Sequence, residues 1–279
     1  MNLFKKLILT VIAFSIVASL SLTLIGCPTT PVTEEPTVTE EPTEAPTEEE
    51  IEFTTVTEGV LTVGSDIAYP PFENVEGEEF VGFDMDLARE IAKRLGLEIE
   101  IVNTAWDGIF QALIANKFDI VISAVTITPE RDKEMDFSDP YFDSDQSIAT
   151  KEDSGIKTKA DLEGKTLGVQ IGTTGALEAE KIAEEMNIAE IQTYDDILLA
   201  FEDLKAGRID AIINDFPTSL YIVKENPGLV LSEKIKTGEA YGVVFAPDTP
   251  EILKAVNEVL NEMKEDGTYD QIYNIWFAE

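Results

Sequence analysis

Arg131 is the residue in this chain best equipped to grip an anion. It closes the stretch Ser123-Ala124-Val125-Thr126-Ile127-Thr128-Pro129-Glu130-Arg131, which follows the apolar run Phe118-Asp119-Ile120-Val121-Ile122. A guanidinium offers a rigid fork of donors that matches a carboxylate. Pro129 after Thr128 reads as a helix start, which places Arg131 in a first turn beside free N–H groups that also favour an anion. The chemistry this supports is carboxylate capture; a surface arginine on a capped helix is the plainer alternative. Asp215 is its counterpart. Ile212-Ile213-Asn214-Asp215-Phe216-Pro217 puts a carboxylate directly after a buried strand, where it holds a cation or simply caps a helix at Pro217. Asp66 and Tyr69 end the first strand in Gly64-Ser65-Asp66-Ile67-Ala68-Tyr69-Pro70-Pro71-Phe72, and Trp106 follows the second in Thr104-Ala105-Trp106-Asp107-Gly108. Open α/β sheets bind ligands at such strand ends, although these aromatics would also serve as core plugs.

Alternating elements must position these groups. Val60–Gly64, Leu97–Val102 and Ile120–Ile122 read as strands, with helices at Phe83–Leu95, closed by Gly96, and at Ile109–Ala115. The pattern then restarts: strands at Thr166–Val169, Ile188–Thr193 and Ala211–Ile213, helices at Ala176–Met186 and Ile197–Ala206. Two rounds of strand–helix alternation predict two parallel α/β units. Extended runs at Gln146–Lys151 and Ala240–Ala246 predict two crossings between them, with helices at Pro250–Lys264 and Tyr269–Phe277 returning to the first unit. In that layout Arg131 and Asp215 face each other across a cleft and read the two charges of a zwitterion. Tyr69 and Trp106 flank its side chain.

The start of the chain has a different purpose. Lys5 and Lys6 precede an apolar run from Leu7 to Ile25, the pattern of an export signal; an uncleaved membrane anchor is the alternative. Leu24-Ile25-Gly26-Cys27 resembles the lipobox of bacterial lipoproteins, which implies a lipidated Cys27 and a removed leader over residues 1–26. Cys27 is the only cysteine, so no internal disulfide forms. From Pro28 to Glu58, threonine, proline and ten glutamates occur with no lysine, arginine or aspartate. Such a segment cannot bury enough apolar surface to fold and is expected as an extended tether over residues 27–58. At roughly 3.1 Å per residue, about 30 residues reach on the order of 90 Å.

The chain has 279 residues and a net charge of −35; removing the two leader lysines and the ten tether glutamates leaves −27. That charge repels nucleic acid and anionic membrane and attracts cationic solutes. With no histidine and one lipidated cysteine, histidine acid–base catalysis, Cys–His nucleophiles and zinc sites are excluded, and neither a metal nor another cofactor is expected. Val169-Gln170-Ile171-Gly172-Thr173-Thr174-Gly175 runs a strand into a glycine-rich helix start but lacks the dinucleotide fingerprint. Gly164-Lys165-Thr166 copies the end of a P-loop, with Lys159 where its first glycine belongs. The remaining use of that helix start is to bind one anionic group.

From Val60 to Phe277 the chain resembles the polar amino-acid solute-binding proteins, the receptor components of ABC importers (solute-binding protein family 3). The landmarks are Asp66–Phe72, Val81-Gly82-Phe83-Asp84-Met85-Asp86-Leu87-Ala88, Trp106-Asp107-Gly108, Thr126–Arg131, Asp136–Tyr141, Val169–Gly175 and Asp266-Gly267-Thr268-Tyr269, in that order. The resemblance implies a type II periplasmic-binding-protein-like fold, with two parallel-sheet α/β lobes on a two-stranded hinge. Lobe one then spans 59–147 plus 243–279, and lobe two 148–242. It implies that Arg131 holds a ligand α-carboxylate with the backbone N–H groups of Thr126 and Thr174. Asp215 holds the α-ammonium with the Ala124 carbonyl; Asp66, Tyr69, Trp106 and Gln170 read the side chain, and Ser123 lies at the edge. The expected ligand is arginine or another basic L-amino acid, because Asp66 offers a distal carboxylate and Tyr69 with Trp106 would sandwich a planar cation. Glutamine is the alternative. The expected protein is a lipid-anchored monomer outside the cytoplasm that delivers its ligand to an ABC permease and binds no nucleic acid. A cyclohexadienyl-dehydratase-like enzyme is the competing class. Asp145, where relatives often have glycine, is a departure near the hinge.

Overall fold

The computed structural model describes residues 52–278. The leader, Cys27 and most of the expected tether lie outside the described residues. Packing begins upstream of the boundary expected at residue 59. Phe53 lies against the first core, and the Val56 N–H donates to Asp119 Oδ1 at 2.6 Å.

The chain enters at β1 (Val60–Ser65), turns through a small hairpin of β2 (Asn74–Glu76) and β3 (Glu79–Val81), and continues into α1 (Phe83–Arg94). Next come β4 (Glu98–Asn103), α2 (Ile109–Ile114), β5 (Ile120–Val121) and β6 (Asp136–Phe137). A long strand, β7 (Phe142–Lys151), leads to β8 (Thr166–Gln170), α3 (Thr174–Glu185), β9 (Glu190–Tyr194), α4 (Ile197–Ala206), β10 (Ala211–Asp215) and α5 (Phe216–Glu225). The equally long β11 (Leu229–Tyr241) returns to β12 (Val244–Phe245), α6 (Pro250–Glu265) and α7 (Thr268–Phe277).

Two five-stranded sheets result, ordered β4-β1-β5-β12-β6 and β11-β7-β10-β8-β9. Each has parallel pairs along one side, β4-β1-β5 in one and β10-β8-β9 in the other, as alternating strands and helices require. Each is nevertheless mixed, because the crossing strands and their continuation run antiparallel: β12 to β5 and β6, and β7 to β10 and β11. The extended run expected over Ala240–Ala246 divides after Tyr241. β11 ends there in the second sheet, and Val244–Phe245 joins the first.

Strand periodicity explains the cores. Along β10, Ala211 and Ile213 pack with Leu167, Val169 and Ile182 on one face, while Ile212 joins Ala149, Ile197 and Phe201 on the other. The C-terminal helices add Val256, Leu260 and Ile272 to the core that holds Leu61, Val63 and Phe83. Phe142 and Tyr241 belong to that first core, whereas Ile148 and Ala149 on the same crossing serve the second. The paired crossing strands are therefore rooted in both lobes. Asp145 stitches them together: its Oδ1 accepts the N–H groups of Thr237 and Gly238 at 2.9 Å each, at a bulge in β11. A glycine here would leave those two donors without a side-chain acceptor.

The helix expected at Pro129 is only a single 3-10 turn, Arg131–Lys133. The chain must reach β6 by Asp136, which leaves no length for an α-helix; Thr128 Oγ1 still accepts the Arg131 N–H at 3.2 Å. At the start of α1, Gly82 has φ 137°, and a Cβ there would sit 2.0 Å from the Phe72 carbonyl oxygen. The backbone at that point docks α1 onto the strand-end segment, with Phe83 N–H bonded to Pro71 O and Asp84 N–H to Phe72 O. Gly82→Ala is expected to cost at least about 3 kcal/mol, read as a lower urea midpoint.

Candidate functional site

All ten residues expected at the site line one cavity: Asp66, Tyr69, Trp106, Ser123, Ala124, Thr126, Arg131, Gln170, Thr174 and Asp215. Glu73 and Thr173, which the sequence reading missed, complete its wall. The lobes meet across it. Tyr69 Oη donates to Asn214 Oδ1 at 3.0 Å, Gln170 Nε2 to Asp66 Oδ2 at 3.0 Å, and Arg131 Nη2 to the Gly172 carbonyl at 3.2 Å.

Arg131 is held from three sides. Its Nη1 donates to the Thr126 carbonyl at 2.8 Å, and its guanidinium carbon lies 5.3 Å from the ring centres of both Trp106 and Phe110. Such contacts supply on the order of 0.5–2 kcal/mol each. Burial lowers its pKa to about 10, opposed by the charges of Asp215 and Glu239, so it remains a cation at neutral pH. Trp106 thus packs against Arg131 and orients its guanidinium. Phe110 was missed because an aromatic on a short helix reads as core.

Asp215 occupies the N-cap position of α5 but makes no side-chain cap bond. Its carboxylate instead accepts Tyr241 Oη and Gln146 Nε2, both from the crossing strands. Burial raises its pKa, while hydrogen bonds from Tyr241, Tyr69 and Gln146 and the charge of Arg131 oppose the rise. Gln146 Nε2 also reaches Glu239 Oε2 at 2.8 Å and Thr174 Oγ1 at 3.1 Å, which ties the hinge to the start of α3. Neither Gln146 nor Glu239 carried a sequence signal, since polar residues on a strand usually face solvent. Gly175, next to Thr174, is required by closeness: a Cβ there would meet the Ile213 carbonyl oxygen at 2.8 Å.

Asp66 is a third charged group on the cavity wall. Its pKa is raised to about 6, chiefly by burial and also by Asp196, against hydrogen bonds from Gln170 and the Trp106 backbone. Ser123 Oγ accepts the Asp66 N–H at 3.0 Å and donates to Glu73 Oε1 at 2.7 Å. Ala124 takes a left-handed φ of 45°, and its N–H donates to Asp84 Oδ2 at 2.7 Å. The guanidinium of Arg131 and the carboxylates of Asp215 and Asp66 thus line one cavity. Among the described residues no cluster of metal-ligating side chains is present, and no helix is long and apolar enough to cross a membrane.

The sequence model for bacterial extracellular solute-binding proteins, family 3, matches residues 61–279. The chain belongs to this family. Among its relatives, the L-cystine-binding protein TcyJ of Escherichia coli (strain K12) is 38% identical over 225 residues, covering 79% of this chain and 83% of that one. ABC transporter arginine-binding protein 1 of the same strain is 36% identical over 78% of this chain and 91% of its own length. Among solved structures, an ancestral arginine-binding protein bound to arginine superposes with a TM-score of 0.76 at 42% identity, covering 79% of this chain and 99% of that one. Family members are exported binding proteins of type II two-lobed architecture, which is the fold described above.

Proposed function

We propose that the protein is an ABC-importer receptor that binds a free L-amino acid, arginine or another basic one, between its lobes. One observation carries the reading: Arg131, Asp215 and Asp66 line a single cavity, which supports assigning the first two to the α-carboxylate and α-ammonium and the third to the end of a cationic side chain. The Ala124 carbonyl and the N–H groups of Thr126 and Thr174 complete the two poles, and Tyr69, Trp106 and Gln170 wall the side chain. Ligand contacts made only when both lobes participate drive closure of the hinge. The protein is anchored by lipid on Cys27, held away from the membrane by the acidic tether, and meets its permease as a monomer. Relatives named for arginine and cystine support amino-acid binding in general.

Glutamine is the second reading, favoured by the Gln170–Asp66 hydrogen bond at the distal end. A ligand amide would donate to Asp66 and accept from Gln170. Asp66→Asn separates the two: affinity for arginine is expected to fall about tenfold or more, with glutamine little changed. Acid gives the same sign. Asp66 is charged above its raised pKa of about 6, so affinity for a basic ligand is full at pH 8. It falls as pH drops through 6, by up to about tenfold per pH unit. Calorimetric titration from pH 8 to pH 5 reads this, and a flat profile with arginine contradicts the role of Asp66.

A further inference from the structure

Two carboxyl groups, one in the cavity wall and one behind it, are not used by the ligand-binding scheme. Glu73 and Asp84 are both fully buried. Asp84 Oδ2 accepts the Ala124 N–H at 2.7 Å and Tyr141 Oη at 2.8 Å, and Glu73 Oε1 accepts Ser123 Oγ at 2.7 Å. The other oxygens, Glu73 Oε2 and Asp84 Oδ1, have no protein donor. Among the described residues no lysine or arginine pairs with either group. Two bare carboxylates in such a place would be untenable, whereas one shared proton satisfies every oxygen.

We propose that Glu73 and Asp84 are positioning residues that hold one proton between Glu73 Oε2 and Asp84 Oδ1, and so lock the ligand-facing backbone of the cavity. The proposal rests on the amino-acid-receptor reading of this cavity. The lock acts on both segments that supply lobe one's side of the site. Ser123 and Ala124 hang from the two carboxyl groups directly, and Ala124 is kept in a left-handed conformation that a non-glycine residue adopts at a cost. Asp66 is tied through Ser123, and Tyr69 through reciprocal backbone bonds with Glu73, 2.8 and 3.1 Å long. Removing the proton would set two like charges against each other and release Ala124, whose carbonyl is assigned to the ligand ammonium.

The titratable groups facing the pair are Asp66 and Tyr69 from the end of β1, Tyr141 from the entry to β7, and Tyr269 from α7. All are acids, so none favours ionisation of the pair by opposite charge. Burial raises both carboxyl pKa values, and the charge of Asp84 raises Glu73 further. The folded protein therefore keeps a proton that the unfolded chain releases near pH 4. This contribution to stability is full below about pH 4 and declines as pH rises through the folded pair's titration.

Glu73→Gln mimics the protonated acid: its amide N–H replaces the proton toward Asp84, and its carbonyl still accepts from Ser123. The test compares wild type, E73Q and E73A by infrared spectroscopy at pH 8 and by calorimetric titration with arginine at pH 7. The wild type is expected to show the carbonyl stretch of a buried protonated carboxylic acid, absent in E73Q. E73A is expected to weaken binding at pH 7 by about tenfold or more. E73Q should restore affinity at pH 7 to within about threefold. A wild-type spectrum without that band, a band that persists in E73Q, or an E73Q protein as impaired or unfolded as E73A overturns the proposal. Because the infrared result needs no ligand, it stands apart from the receptor reading, which fails instead if wild type binds no amino acid.

Discussion

Arg131→Ala is expected to reduce amino-acid affinity by about a hundredfold or more, because a buried ligand carboxylate would lose its only cationic partner in the cavity wall. The loss has two parts. The fork itself disappears, and so does the bond from Nη2 to the Gly172 carbonyl that helps join the lobes. Arg131→Lys separates them by keeping the charge and discarding the planar fork that packs on Trp106 and Phe110. It should fall between wild type and alanine, since a point charge cannot make the bidentate contact. The ligand-free fold should barely suffer. Arg131 is a desolvated cation whose pKa burial lowers to about 10, so its removal relieves a cost as well as deleting contacts. Titration calorimetry paired with thermal unfolding checks both halves; a variant that binds normally would dismiss the clamp.

Asp215→Asn is expected to have an effect of similar size, again about a hundredfold, at the opposite pole. Asparagine keeps the shape but loses the charge that meets the ammonium. It also turns an amide N–H toward a site that now accepts Tyr241 Oη and Gln146 Nε2. In contrast to Arg131→Ala, this variant should slow or weaken closure as well, since both donors come from the crossing strands. Small-angle scattering with and without ligand is the check: ligand should compact the wild type but leave Asp215→Asn unchanged at concentrations that saturate the wild type.

Much of this molecule was legible because its strands and helices alternate in strongly patterned runs. Ala211-Ile212-Ile213 and Thr166–Val169 read as strands from their apolar β-branched content, and α4 matches Ile197–Ala206 to the residue. The elements that escaped are short or wet. β6 has two residues and the hairpin strands three each, too few to show a period. Most of β11 alternates half-covered with exposed positions such as Lys234 and Lys236, which is how an outer strand avoids unwanted pairing. The extended run expected from Gln146 stops short of the polar start of β7, Asp143-Ser144-Asp145, which pairs with β11 rather than with an apolar core.

The candidate site was legible at its strand ends and invisible behind them. Arg131 and Asp215 announced themselves by charge after an apolar run. Nothing in Pro71-Phe72-Glu73 says that the glutamate is fully buried, since glutamate is usually solvated. Gln146, Glu239 and Tyr241 act through Asp215 and Thr174 across the hinge, contacts that only the folded topology creates. Asp215 shows the limit of local reading. Its position is that of a helix cap, and only the partners of its side chain distinguish the two uses.

The most direct test is calorimetric titration of the purified protein, unfolded and refolded to strip carried-over ligand, against arginine, lysine, histidine, glutamine, glutamate and cystine at pH 8. The account predicts one site per chain, with arginine or another basic amino acid bound most tightly and glutamate least. Glutamine preferred over arginine would keep the Arg131–Asp215 clamp and overturn the role given to Asp66. No heat with any of the six would contradict the receptor assignment itself.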